Sequence, residues 1–273
     1  MTDQDGDSES TPSDSSGEDR APIPPETEHA KGNGLFAVAF VVGFLALCIF
    51  LSLPAINGGP ASKRTGCLNN LRNISIALHL YHEAYGAYPP AYIADDNGTP
   101  MHSWRVLLIG LLDRPDIARA YRFDEPWNSP HNLKLADTVR VFNCPSQSDK
   151  PSLETNYLAV IGEHTFWPGA RPRLKEEVTD GPENTILLVE VADSGILWTE
   201  PRDLHFSQMN PKIGASDGKG LSSHHEGVMV SFASTHTRIL PEDTAPEVLK
   251  ALLTVDGGEP VIPNGRVGFR LKK

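Results

Sequence analysis

The side chains with the means to do chemistry are carboxylates and imidazoles scattered along the chain from His79 onward. The acids of interest are Asp124, Glu125, Asp180, Glu190, Asp193 and Glu200. The imidazoles are His79, His82, His131, His164, His205, His224, His225 and His236. Two carboxylates a few ångströms apart in a cleft can do acid–base work. Nothing in their spacing demands this: Asp180-Gly181 reads as a turn and Glu125-Pro126 as a loop. The chain has no glycine-rich phosphate loop and no G-x-S-x-G elbow. Catalysis is not expected, and no cofactor is implied. For a metal, His79 and His82 stand three apart on an expected helix and so share a face, but no third ligand suggests itself. His224 and His225 are neighbours, and on a strand they point to opposite faces. Hydrogen-bonded or exposed histidines are the simpler reading, so no metal site is assigned. Trp104, Trp127, Trp167 and Trp198, together with Asp and Asn, would suit a sugar-binding groove; as core or loop anchors they need no ligand at all.

The elements that must position these groups fall into a tail, an anchor and a body. Gly34 to Ile56 is an apolar run without a charged residue. A run of roughly 20 apolar residues spans a bilayer as a helix, and a soluble core helix of that length keeps a polar face. Residues 34–56 are therefore expected to be a single transmembrane helix with the lipid bilayer as partner. Before it, residues 1–33 carry nine acids, among them Asp3, Asp14 and Glu28, against Arg20 and Lys31. This tail holds too little apolar surface to offset the entropy of ordering and is expected to be disordered. Residues 57–273 form the body. The whole chain has a formal charge of −11, which argues against a nucleic-acid partner, because phosphate contacts need clustered Lys and Arg.

Within the body, Pro54 and the Asn57-Gly58-Gly59-Pro60 segment interrupt the apolar run, and helical patterning resumes at Ser62. Leu68, Leu71, Ile74, Ile76, Leu78 and Tyr81 predict one broad apolar face up to Tyr85, with Asn69, Asn70, Arg72, Asn73 and His79 on or near the other. Ala91–Thr99 reads as a turn-rich connection. Short helices are expected over 103–112, 114–123 and 131–137. Strands are expected at Thr138–Asn143, 156–161 and Thr185–Val191. Residues 228–234 and Thr237–Leu240 predict a hairpin, and Glu242–Leu253 a short amphipathic helix. The sum is an α+β fold: a transmembrane helix running into a domain in which a long helix packs on an antiparallel sheet.

A series of ordered boxes carries a resemblance. They are Leu53-Pro54-Ala55, then Cys67 to Ile74 with Asn69 and Asn70, the Tyr88-Pro89-Pro90 stop and Ser103-Trp104-Arg105. Next come Phe123 to Asn132 (with Asp124, Glu125, Pro126, Trp127, His131 and Asn132) and Asn143-Cys144-Pro145. After those stand Thr179-Asp180-Gly181 with Asn184, Val189-Glu190-Val191, and His224 with Gly227. Together they resemble a large bacterial family of unknown function, expanded in planctomycetes, with prepilin-type N-termini and a C-terminal H-x9-DG signature. The resemblance implies a pilin-like extracytoplasmic domain with a structural or interaction role, its partners being other pilin-like subunits or envelope components. The alternative is a membrane-tethered protein that binds a small molecule or carbohydrate.

This chain departs from the family pattern. Asn33 stands where Phe is usual, Ala37 where Glu is usual, and the leader is long and acidic. Processing by a prepilin peptidase is therefore not expected. Ser234 and Thr235 occupy the Asp-Gly positions of the signature. Cationic residues flanking the run, Arg20 and Lys31 before it and Lys63, Arg64 and Arg72 after it, lean weakly toward an outside tail. The family relation implies the reverse, a cytoplasmic tail and an extracytoplasmic body, and that is the expected topology at the cell membrane. Of the three cysteines, Cys48 lies in the apolar run, which leaves Cys67 and Cys144 to form a disulfide in an oxidising compartment. Two buried free thiols are the alternative that a cytoplasmic body would contain.

Overall fold

The computed structural model describes residues 41–44, 59–137, 139–147, 152–215, 219–264 and 268–272. The chain divides into two units, Met1–Ile56 and Asn57–Lys273. In the first, residues 41–44 are helical, with Val41, Val42 and Phe44 exposed. The rest of the expected tail and apolar run, Cys48 and Pro54 included, lies outside the described residues. Among the described residues no helix is long and apolar enough to cross a membrane.

The second unit is built around helix α1, Pro60–Tyr85. Its start follows from Gly59 at the N-cap and Pro60 in the first turn, where a missing N–H leaves nothing unpaired. Its end follows from Gly86 at φ 78°, whose N–H donates to the His82 carbonyl at 2.7 Å. The Gly-Pro pair that reads as a helix breaker is thus the helix's beginning. Cys67, Leu71, Ile74 and Leu78 are fully buried. Ile76, expected on the same face, is exposed instead, and His79, expected on the polar side, is half-buried.

After α1 come strands β1 (Tyr92–Ala94) and β2 (Pro100–Ser103), paired as a hairpin, and helices α2 (Trp104–Leu108), α3 (Pro115–Ala120) and α4 (Pro130–Leu135). Strands β3 (Tyr157–Leu158), β4 (Val160–Ile161), β5 (Ile186–Glu190), β6 (Leu204–His205), β7 (Val228–Phe232) and β8 (Thr237–Leu240) follow. Helix α5 (Pro246–Leu253) and the pair β9 (Val261–Asn264) and β10 (Gly268–Leu271) complete the described chain. The main sheet has the order β3-β5-β7-β8 and is antiparallel throughout. A small parallel pair joins β4 to β6.

The sheet is covered on both faces. Met229 and Leu187 share a core with Leu71, Ile74 and Leu78 of α1. Val228, Val230 and Phe232 share a second core with Val248, Leu249 and Leu252 of α5. Every residue of β5 and β7 is buried, which explains why both strands read as continuous apolar runs rather than alternating ones. The α+β expectation with a long helix on an antiparallel sheet therefore holds, with α5 added as a third layer.

The expected strand Thr138–Asn143 is a correction: Thr138 lies outside the described residues, and Arg140–Phe142 is a 3-10 turn. Its backbone bonds close locally, Phe142 N–H to Val139 O and Asn143 N–H to Arg140 O. Phe142 is drawn inward to stack on Trp198 at 5.8 Å. The β7–β8 hairpin forms as expected, and its turn places Thr235 at φ 70°.

Candidate functional site

Two shallow grooves flank the outer side of α1. One, of about 390 Å³, is lined by Asn73, Ile76 and Leu80 of the helix together with Leu111, Leu112 and Arg140. The other, of about 420 Å³, is lined by Tyr81, Ala84 and Tyr85 together with Leu107, Leu111 and Phe123. Leu111 lines both, so the grooves meet there. Ile76, Leu80, Leu111 and Phe123 are all exposed, and Tyr85 is 71% exposed. Isolated exposed apolar residues are ordinary on a protein surface, whereas contiguous ones mark interaction sites. Here the sequence pattern placed Ile76 in the core, and the structure leaves it on this open face.

The inner side of α1 is stapled at its start. Cys67 and Cys144 form a disulfide with Cα atoms 4.9 Å apart across a sequence separation of 77, so the expected pairing is present. Hydrogen bonds reinforce it. The Tyr157 hydroxyl donates to Cys67 O at 3.2 Å, Asn70 Nδ2 donates to Asn143 O at 2.7 Å, and Cys144 N–H donates to Asn156 Oδ1 at 2.7 Å. The further end of the helix is tied to the hairpin turn, where His79 Nε2 bonds Ala233 O at 2.8 Å and Nδ1 faces the Tyr88 hydroxyl at 3.1 Å. Both His79 nitrogens are engaged, so His79 and His82 do not act as a ligand pair. Among the described residues the cluster with metal-ligand spacing is Cys67, Cys144 and His225.

Two buried carboxyls behave differently. Asp203, which the sequence did not single out, is fully enclosed with Arg105 at 2.5 Å. It also accepts from Ala159 N–H at 2.8 Å and Trp104 Nε1 at 3.2 Å. Arg105 in turn donates to Tyr157 O and to Ser103 Oγ. Burial pushes the Asp203 carboxyl up and the Arg105 guanidinium down, and their mutual attraction opposes both shifts. This is a satisfied structural pair. Glu190, at the end of β5, is 1% exposed and has no cationic partner among the described residues. Its Oε2 accepts from Met229 N–H at 3.4 Å, Ser223 supplies another bond, and Oε1 has no partner. Burial raises this carboxyl to about 7.

The other residues of the boxes organise loops. Asn132 is buried and clips the Phe123–Asn132 segment: its Oδ1 accepts from Arg122 N–H, and its Nδ2 donates to the Arg122, Glu125 and Pro126 carbonyls. Glu125 pairs with Arg122, His131 bonds Ala120 O, Trp127 N–H donates to Met101 O, and Asp124 is exposed. Asp180 accepts from Gly257 and Gly258 N–H, and Asn184 Nδ2 donates to Asp180 O. Gly227 sits at φ 77°, and a Cβ there would meet Leu240 O at 2.5 Å, so only glycine fits. His224 and Asn69 are exposed, and His224 faces Asp193 at 3.7 Å. Glu200 pairs with Arg202, His164 with Asp256, and His236 with Glu183. Each acid singled out for acid–base work is thus held in its own local contact or left exposed. Trp104, Trp167 and Trp198 are core residues, and Trp127 alone of the four is partly open.

An α+β domain with one helix-to-loop disulfide and an open helix face is the class these features define. Residues 60–171 match the model of a family described as a protein of unknown function, DUF1559. The matched segment runs from α1 through both cysteines and the Asn132 loop; Glu190, His224 and Gly227 lie beyond it. No curated protein and no solved structure matches the chain.

Proposed function

We propose that this chain is a pilin-like structural or interaction subunit, held in the cell membrane by residues 34–56, with its tail cytoplasmic and its body extracytoplasmic. It performs no catalysis and contacts no nucleic acid. Its open helix face docks another pilin-like subunit or an envelope component. The observation that carries this reading is the pair of grooves meeting at Leu111 on the outer side of α1, with Ile76, Leu80 and Phe123 exposed beside them. Burying what is still open of these side chains, 41% of Ile76 and 49% of Leu80, gives on the order of 1 kcal/mol each on association. The disulfide and the His79 bond hold α1 against the body, so the face is presented on a fixed support.

The membrane-tethered small-molecule or carbohydrate binder has less support. Three of its four tryptophans are enclosed in the core and offer no ring face to a sugar. The reading is tested with a photoreactive amino acid at position 80 of the full-length protein in membranes, with position 72 as an exposed polar control. Adducts at twice the monomer mass identify self-assembly, and a discrete adduct of another mass identifies an envelope partner. Labelling at 80 no greater than at 72 overturns the proposal.

A further inference from the structure

We propose that the reduced form of the Cys67–Cys144 pair, joined by His225, is a binding site for a single d10 metal ion, Zn2+ or Cu+. The three residues come from separate places: the second turn of α1, the loop after the Arg140–Phe142 turn, and the loop entering β7. Both sulfurs and one ring nitrogen of His225 lie within 4.8 Å of one another. Ligands around such an ion, with metal–sulfur bonds near 2.3 Å and metal–nitrogen bonds near 2.0 Å, sit roughly 3.3–3.8 Å apart. The set therefore needs the sulfur–sulfur bond to open and little other rearrangement.

A second observation points at a ligand. Nε2 of His225 is buried and has no hydrogen-bond partner. Buried polar atoms are nearly always paired, and an unpaired one calls for an explanation. In the tautomer that carries its proton on Nδ1, Nε2 holds a lone pair that a bound metal ion would take up. Thiolate and imidazole together select soft and borderline ions over Mg2+ or Ca2+. Cys67 and Cys144 are both enclosed, as in closed structural sites. Ser146 Oγ, 3.6 Å from Cys67 Sγ, stands beside the cluster where a fourth oxygen ligand or a water would complete a tetrahedron.

The chemistry balances with a dithiol, or with a phosphine that takes the oxygen of one water to become its oxide while that water's two protons go to the cysteine sulfurs. A dithiol passes two electrons to the Cys67–Cys144 bond, which breaks. The dithiol closes to its own disulfide, and its two protons move to the cysteine sulfurs. Metal entry then displaces both protons, and the neutral imidazole supplies the third donor pair. Disulfide and metal are mutually exclusive, so the cluster responds to the redox state of its surroundings.

The test uses the full-length chain in mild detergent, reduced anaerobically with a phosphine, with free thiols counted and the fold checked by far-UV circular dichroism. Co2+ is the spectroscopic probe for the Zn2+ site, and Cu+ is titrated against a chromophoric chelator. The reduced chain is expected to bind one ion with a thiolate-to-cobalt charge-transfer band, which the oxidised chain does not show. His225→Ala is expected to weaken binding by at least about tenfold with the dichroism unchanged. As a second measurement, bound Zn2+ slows alkylation of both thiols. Four results would each overturn the proposal: a reduced, folded chain that binds no ion, equal binding by the oxidised chain, unchanged affinity in His225→Ala, or loss of the fold on reduction.

Discussion

Replacing Glu190 by glutamine removes the one carboxyl among the described residues that is buried without a cation, and the pH dependence of its effect can be worked out beforehand. Burial raises the group from 4.5 to about 7 in the folded chain. Its hydrogen bonds do not offset the desolvation: the Met229 N–H is long at 3.4 Å and Oε1 is unpaired. In the unfolded chain the same carboxyl ionises near its ordinary value. Between those two pKa values the folded state holds a proton that the unfolded state has released. Stability is then fully present below pH 4.5 and falls as pH rises toward 7. The slope approaches 1.4 kcal/mol per pH unit and the whole loss is on the order of 3 kcal/mol.

Glutamine cannot ionise and keeps the shape and the acceptor toward Met229. Glu190→Gln should therefore match wild type within about 1 kcal/mol at pH 4.5 and exceed it by up to about 3 kcal/mol at pH 8. The assay is urea unfolding of both full-length proteins in the same detergent at a series of pH values. All other titrating groups are common to the two chains, so the difference curve isolates position 190. A difference that stays flat from pH 4.5 to 8 would refute the reasoning, because Glu190 would then ionise as easily in the fold as in water.

Three further outcomes are expected. Thr235 is a β-branched residue at φ 70°, so Thr235→Gly should stabilise the chain by up to about 1 kcal/mol after the added unfolded-state entropy is subtracted; a lower urea midpoint would contradict it. Asp203→Ala strands the Arg105 guanidinium, the Ala159 N–H and the Trp104 Nε1–H in the core and should cost roughly 3–5 kcal/mol. An unchanged urea midpoint would refute the pairing. Under the proposed topology, protease added to intact spheroplasts digests the body and spares the tail, and the opposite pattern rejects it.

What could be read from the sequence divides along physical lines. Helix α1, strand β5, the β7–β8 hairpin and helix α5 were legible because each is local: its periodicity, its apolar run or its flanking Gly and Pro lie within the segment itself. Thr138–Asn143 misled because Val139, Val141 and Phe142 are strand-favouring residue types, while the choice between strand and turn depends on whether another strand edge is present. Among the described residues none pairs with it, and Phe142 turns inward onto Trp198. The β1–β2 hairpin was read as connection alone, because its strands are short and its strongest signal is the Asp95–Thr99 turn, where Asp95 Oδ1 accepts from Asn97 and Thr99 N–H.

The candidate sites were legible in a different proportion. The disulfide followed from having few cysteines, one of them inside the apolar run. Asp203 could not be found: Arg105 announces a buried cation only once its surroundings are known, and its partner is 98 residues away. Ile76 shows the same limit from the other direction. Its spacing suits either side of a broad apolar face, and only the layer that covers Leu71, Ile74 and Leu78 decides which side is core. An apolar residue left over by that choice is the mark of the α1 face proposed to dock a partner. Periodicity identifies helices, whereas function on such a surface resides in the residues that fit the period and yet stay uncovered.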